Sequence, residues 1–163
     1  MLPLRRLNRE DLPRLRQFWA EHWGGDEMIV HNEIFQPEQL EGFVTRDWAG
    51  VVTFTIKGDQ CEIISLDSLD EGRGIGTALI NAVASEARSH SCCRLFLSTT
   101  NDNLHALHFY QKRGFELAAL RRGALNESRK IKPAIPLLGE DGIPLRDEIE
   151  LEMSLQTPNE VGR

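Results

Sequence analysis

Residues 60–89 change their period once, and abruptly. QCEIISLDSL reads as a strand, whereas Ile75, Ala78, Leu79, Ala82, Val83 and Ala87 recur at the three-and-four spacing of a helix face. Between them, DEGRGIGTAL sets Gly72, Gly74 and Gly76 at alternate positions. Glycine lets backbone N–H groups turn inward with no Cβ in the way, and a helix start adds partial positive charge. That layout suits a pyrophosphate, with Arg73 beside it and Thr77 in the first turn. It also suits a tight strand-to-helix turn that holds no ligand.

The rest of the chain sets that unit in a mixed architecture. LPLRRL (2–7) reads as a first strand. From Asn8, a good N-cap, Leu12, Leu15, Phe18, Trp19 and His22 mark a helix that Gly24 and Gly25 end. GDEMIVHNEIFQPEQL reads as a loop with one helical turn after Pro37. Strands are predicted at 41–47, 51–57 and 60–69, the last two joined by the hairpin signal Gly58-Asp59. RLFLSTT (94–100) predicts a strand, NLHALHFYQKRG (103–114) a helix closed by Gly114, and FELAAL another strand. Residues 122–147, with three prolines, are the least regular, and EIELEMSL (148–155) alternates as a final strand. The order implies an α+β fold: one mixed sheet with helices on its faces, neither a doubly wound parallel fold nor a bundle.

Bulk properties narrow the setting. At 163 residues the chain is expected to form a single domain. A net charge of −6 argues against non-specific nucleic-acid binding, which depends on basic surface. The three cysteines form no disulfide framework and no Cys-x-x-Cys pair, so neither a disulfide scaffold nor a zinc site is expected. MLPLRRLNRED carries charge where a signal peptide needs an apolar segment, and no run is long enough to span a membrane. A cytoplasmic protein with no metal and no membrane partner is the expectation.

Two common phosphate loops fail by counting. A dinucleotide fingerprint G-x-G-x-x-G would need glycine at Thr77 or Leu79, and a Walker A loop needs a lysine that is absent between Lys57 and Lys112. A second motif, N-x-x-A-x-x-F-Y-x-x-x-G-F, runs from Asn103 to Phe115 as NLHALHFYQKRGF. With GRGIGTAL in this order, the chain resembles the GNAT superfamily of N-acetyltransferases, densely over residues 60–120. The resemblance implies a central mixed, mostly antiparallel sheet of about six to seven strands flanked by helices. It implies acetyl-CoA as cosubstrate and a small-molecule or peptide amine as acceptor, and it leaves a homodimer open. Two positions depart from the pattern: Glu71 stands where the family's loop opens with Gln or Arg, and Ser68 where proline is frequent.

By that resemblance the CoA phosphates meet the backbone of Arg73, Gly74, Gly76 and Thr77. The pantetheine arm runs along an exposed edge of the 60–69 strand near Leu66 and Ser68, and Asn103 contacts its amide. Asn103 reads equally as a plain N-cap. Tyr110, the chain's only tyrosine, would protonate the leaving thiolate, although it shares helical spacing with Leu104 and Leu107 and could be a core aromatic. For the base, Glu62 has the parity of Leu66, while Asp67 has the opposite parity and is either functional or paired with an arginine. A reaction with no dedicated base stays open, as does Cys61 as an acyl carrier.

Acceptor specificity in similar proteins comes from the first helix-loop region, here with Trp19, His22, Trp23, His31, Glu33 and Phe35, and from the last connection. There RRGALNESRKIK (121–132) sets five basic residues against Glu127. It reads as a solvated amphipathic helix, as a site for an anionic part of the acceptor, or as a partner of the CoA 3′-phosphate. A non-catalytic acetyl-CoA sensor is the alternative function.

Overall fold

The computed structural model describes residues 2–156. The strands are β1 (Leu4–Arg6), β2 (Met28–Val30), β3 (Glu33–Phe35), β4 (Glu41–Thr45), β5 (Gly50–Lys57), β6 (Gln60–Ser68), β7 (Arg94–Thr100), β8 (Glu116–Arg121) and β9 (Glu148–Ser154). The α-helices are α1 (Leu12–Trp23), α2 (Ile75–Ser89), α3 (Leu104–Lys112) and α4 (Ala124–Ile131). Seven strands follow the order β1-β4-β5-β6-β7-β9-β8, and β2 pairs with β3 apart from them. β1–β4, β4–β5, β5–β6 and β8–β9 are antiparallel. α2 connects the neighbours β6 and β7, the crossover that a parallel pair requires, so the sheet is mixed as expected.

The described residues form two compact units. The first holds residues 2–28, 34–95 and 154–156. Its core is Trp19 and Leu15 from α1, Val44, Val51, Val52 and Phe54 from β4 and β5, and Ile75, Leu79 and Val83 from α2, each 1% exposed or less. Burying each such side chain stabilises by about 2 kcal/mol. The apolar stripe of α2 therefore commits its glycine-led start to the Ser68 end of β6. α1 begins three residues later than an N-cap at Asn8 predicts. Asn8 instead caps a single 3-10 turn, its Oδ1 accepting from Glu10 N–H while Asp11 accepts from Asn8 N–H, each at 2.9 Å.

The second unit, residues 29–33 and 96–153, packs Leu97, Tyr110, Phe115, Leu125 and Leu151. Two elements depart from expectation. MIVHNEIF is a hairpin rather than a loop, with His31 and Asn32 as its turn at φ 53° and 60°. The stretch after β8, read as the least regular part of the chain, contains α4, the helix that was one of three readings of the basic segment.

Candidate active site

In the first unit, residues 70–74 are exposed and α2 starts on Gly74, whose left-handed backbone (φ 73°, ψ 17°) carries no side-chain cap. The first α2 hydrogen bond is Ala78 N–H to Gly74 O at 3.0 Å. The opening N–H groups of a helix have no intrahelical partner, so this end is a donor cluster with positive potential. Gly76 is buried and Thr77 exposed, which fits a backbone-only surface at this turn. The Arg73 guanidinium is already engaged, 3.2 Å from Asp47 and 3.1 Å from Asp70. Asp47 in turn is drawn down to about 2 by the Ala49 N–H, then by the Thr45 hydroxyl and Arg73.

β6 corrects the parity argument. Thr53 faces Ser65 and Phe54 faces Ile63, so Ile64 is an extra residue, a β-bulge. The bulge resets the alternation. Glu62, Ser65 and Asp67 pair with Thr55, Thr53 and Val51 on one face, whereas Leu66 and Ser68 pair with Val52 and Gly50 on the other. Glu62 thus shares its face with Asp67, not with Leu66. Glu62 is 7% exposed. Asp67, read as either functional or paired with an arginine, accepts instead from Trp23 Nε1 at 3.0–3.1 Å. Burial pushes its carboxyl up, with Trp23 and His22 pulling the other way.

Two further expectations meet the geometry. The second edge of β6 is not exposed along its whole length, because β7 starts beside its Gln60 end. There Cys93 N–H donates to Asp59 O at 2.8 Å and Arg94 reaches Gln60 at 3.3 Å. Cys61 is fully buried, and desolvation, followed by neighbouring Cys92 and carboxylates, raises its thiol to about 12. It is not a thiolate near neutrality and makes a poor acyl carrier.

In the second unit, Asn103 caps α3 by accepting from Ala106 N–H at 3.1 Å, which leaves its amide N–H₂ free of that duty. Tyr110 is 7% exposed and sits edge-on between Phe109 and Phe115, at 5.1 and 5.3 Å between centroids. Leu104 is 54% exposed, so the Leu104–Leu107–Tyr110 spacing does not trace one continuous core stripe. The basic segment divides by role. Arg129 donates to the carbonyls of Ile135, Pro136 and Leu145 and to Asn126 Oδ1, closing the irregular connection on itself. Arg121 bridges Glu150 at 2.8 Å and approaches Glu148 at 3.6 Å. Arg122 lines a cavity of about 490 Å³ with Gly123, Asn126, Arg146 and Asp147, the part of this segment best placed for an anionic group.

Sequence reasoning did not single out Ser98 or Glu148. Ser98 Oγ lies 3.1 Å from His31 Nε2, and His31 Nδ1 lies 2.7 Å from Glu148 Oε1. The available signal was the alternation of Glu148, Glu150 and Glu152 with apolar residues along one strand; Glu148 and Glu150 are 8% exposed. Among the described residues no group of three or more His, Cys, Asp or Glu is arranged to hold a metal ion, and no helix is long and apolar enough to cross a membrane.

Residues 5–115 match the model of the acetyltransferase (GNAT) family. The uncharacterized protein YdhI of Bacillus subtilis (strain 168) is 47% identical over 139 residues, covering 83% of this chain and 87% of its own. Two solved structures share the fold at low identity. An acetyltransferase of B. subtilis in complex with CoA gives a TM-score of 0.69 at 18% identity, covering 96% of this chain and all of that one. The IAA acetyltransferase from Bacillus cereus ATCC 14579 gives 0.71 at 20% identity, over 94% and 99% of the two chains.

Proposed function

We propose, from the premise that the chain belongs to the acetyltransferase (GNAT) family, that it moves an acetyl group from acetyl-CoA to a primary amine of a small molecule or peptide by direct transfer. The observation that carries the cosubstrate is the start of α2: exposed glycines feeding a helix whose first turn has no side-chain cap. A pyrophosphate would take the N–H groups there, and the side-chain engagement of Arg73 leaves its backbone available. The pantetheine would follow β6 at Leu66 and Ser68. Asn103, whose oxygen serves the helix cap, would offer its N–H₂ to a pantetheine carbonyl. The related CoA complex supports this choice of ligand.

Acyl transfer needs a donor for the departing thiolate, and Tyr110 is the acid proposed. Its buried phenol, braced by Phe109 and Phe115, is held in one orientation. The amine must also lose a proton, for which β6 offers Glu62. The buried Cys61 supports direct transfer over an acyl-enzyme. Three free cysteines support a reducing, cytoplasmic setting.

Release of free thiol from acetyl-CoA against a panel of amines tests the reading. Amine-dependent release is expected. Tight acetyl-CoA binding with no release from any amine would favour the sensor reading instead.

A further inference from the structure

We infer that the cavity between the end of β8 and the start of β9 is an oxyanion site, which takes a phosphate or carboxylate group on Arg122, Arg146 and Asn126. The site stands apart from the acetyl-transfer reading, and only the source of its oxyanion rests on that reading. The cavity measures about 490 Å³, and its lining lies wholly in the second unit. That volume is within the range of small-ligand pockets, so room remains beside the anion for the molecule that carries it.

The charges of the lining are unequally engaged. Arg122 is exposed and has no hydrogen bond or ion pair among the described residues. Arg146 uses only Nε, 3.4 Å from Asp147 Oδ2, and both its terminal N–H₂ groups are uncommitted among the described residues. The one carboxylate of the lining is already occupied: Asp147 Oδ1 accepts from Gly123 N–H at 2.9 Å, and Oδ2 faces Arg146. Two guanidiniums against one carboxylate leave this lining with one positive charge in excess, in a chain whose net charge is −6.

Asn126 adds a directed donor. Its Oδ1 accepts from Arg129 at 2.9 Å, and a guanidinium can only donate, so Nδ2 is the end left over. That nitrogen stands 4.0 Å from where a Cβ on Gly123 would be. Gly123 is left-handed at φ 73°, and its missing side chain keeps the space open. The backbone donors at the start of α4 are spent elsewhere. Gly123 N–H serves Asp147, Leu125 N–H serves Arg146 O, and Asn126 N–H serves Gly123 O. Recognition therefore falls to side chains, and the fork of an arginine matches the paired oxygens of a carboxylate or phosphate.

The same bonds tie the cavity to the corner that carries Asn103. Asn101 Oδ1 accepts from Arg146 N–H at 3.0 Å and from Asp147 N–H at 2.9 Å, while Asn101 Nδ2 donates to Pro144 O at 2.9 Å. Leu125 N–H holds Arg146 O at 3.1 Å. Arg146 thus has a fixed backbone and a free side-chain end. Asn101 stands two positions before Asn103, the residue proposed above to meet the pantetheine. Two sources of the oxyanion fit that neighbourhood: the 3′-phosphate of CoA, or an anionic group on the acceptor.

The test titrates inorganic phosphate into the full chain and follows thermal melts against sodium chloride at equal ionic strength. A Gly74→Ala background removes the phosphate site proposed at α2. Phosphate is expected to raise Tm above the chloride control. Arg122→Ala and Arg146→Ala, both changes of exposed side chains, should each weaken phosphate about ten-fold or more. Arg122→Lys keeps the charge but loses the fork, and should fall between. A phosphate response equal to that of chloride, or one that neither alanine variant changes, would overturn the inference. The source is then read in the wild-type background. If Arg122→Ala removes a preference for CoA over 3′-dephospho-CoA, the oxyanion belongs to the cosubstrate. If that preference stays and the variant raises KM only for amines that carry a carboxylate, it belongs to the acceptor. Wild-type protein that releases no thiol with any amine would sink the acetyl-transfer reading and leave the phosphate titration as it stands.

Discussion

Gly74 and Gly24 make a matched pair that separates ligand binding from backbone strain. Gly74 opens α2 at φ 73°, ψ 17°, and Gly24 ends α1 at φ 77°, ψ 15°. A Cβ added at either meets nothing within 4 Å. Alanine in a left-handed conformation costs about 1–2 kcal/mol, and the less flexible unfolded chain returns about 0.4–1 kcal/mol. Both Gly→Ala variants should therefore lose about 1 kcal/mol, a fall in Tm of about 2–4 °C for a chain of this size. Their response to acetyl-CoA should differ. At a hundred times Kd the ligand adds about 2.7 kcal/mol, or about 5–11 °C, to the wild type. Gly24→Ala should keep that increment in full. Gly74→Ala places its methyl in the space proposed for the phosphates. A hundred-fold loss of affinity would leave about 0.4 kcal/mol, a shift of about 1 °C. Thermal melts of the three proteins with and without acetyl-CoA decide it. Equal ligand shifts in both variants would refute the phosphate site.

Tyr110→Phe keeps the edge-on packing with Phe109 and Phe115 and removes only the hydroxyl; kcat should fall about ten-fold to a hundred-fold, with the acetyl-CoA Kd unchanged by calorimetry. Full kcat across the pH range would remove Tyr110 as the acid. Asp67→Asn keeps an acceptor for Trp23 Nε1 and removes a carboxylate that burial disfavours. Because the folded carboxyl is raised, its stabilising contribution is present below its unfolded value and is lost as pH climbs through the folded one. The variant should thus gain Tm relative to wild type as pH rises above the ordinary aspartate value of about 3.9 and keep that gain at neutral pH, and a lower Tm at neutral pH would contradict this. Arg129→Ala unties three carbonyls and should cost about 2–3 kcal/mol, opening residues 132–147 to limited proteolysis without changing acceptor KM. A raised acceptor KM with unchanged stability would make Arg129 a substrate contact.

What could be read from the chain before its structure depended on how local the physics was. β7 and the start of α2 follow from adjacent residues: an apolar run with no breaker, and glycines that change the backbone within three positions. The β2–β3 hairpin escaped because each strand has three residues and its turn, His31-Asn32, lacks the usual glycine. The bulge at Ile64 is a single uncompensated residue that no local pattern announces, yet it changes which carboxylates share a face. Alternation in EIELEMSL predicted β9 but not its sign. The glutamate side is buried at Glu148 and Glu150 because Arg121, twenty-seven and twenty-nine positions earlier in sequence, compensates the charge. The same distinction divides the site. A glycine turn into a helix is one turn of backbone and is visible in ten letters. A cluster assembled from residues 31, 98 and 148 exists only once three distant segments are brought together, so its members look like an ordinary loop histidine, a strand serine and one of three acids in an alternating run. Their positions are understandable only as a set: Arg121 stands beside the two buried carboxylates Glu148 and Glu150, and the left-handed turn at His31 brings its ring 2.7 Å from the first of them.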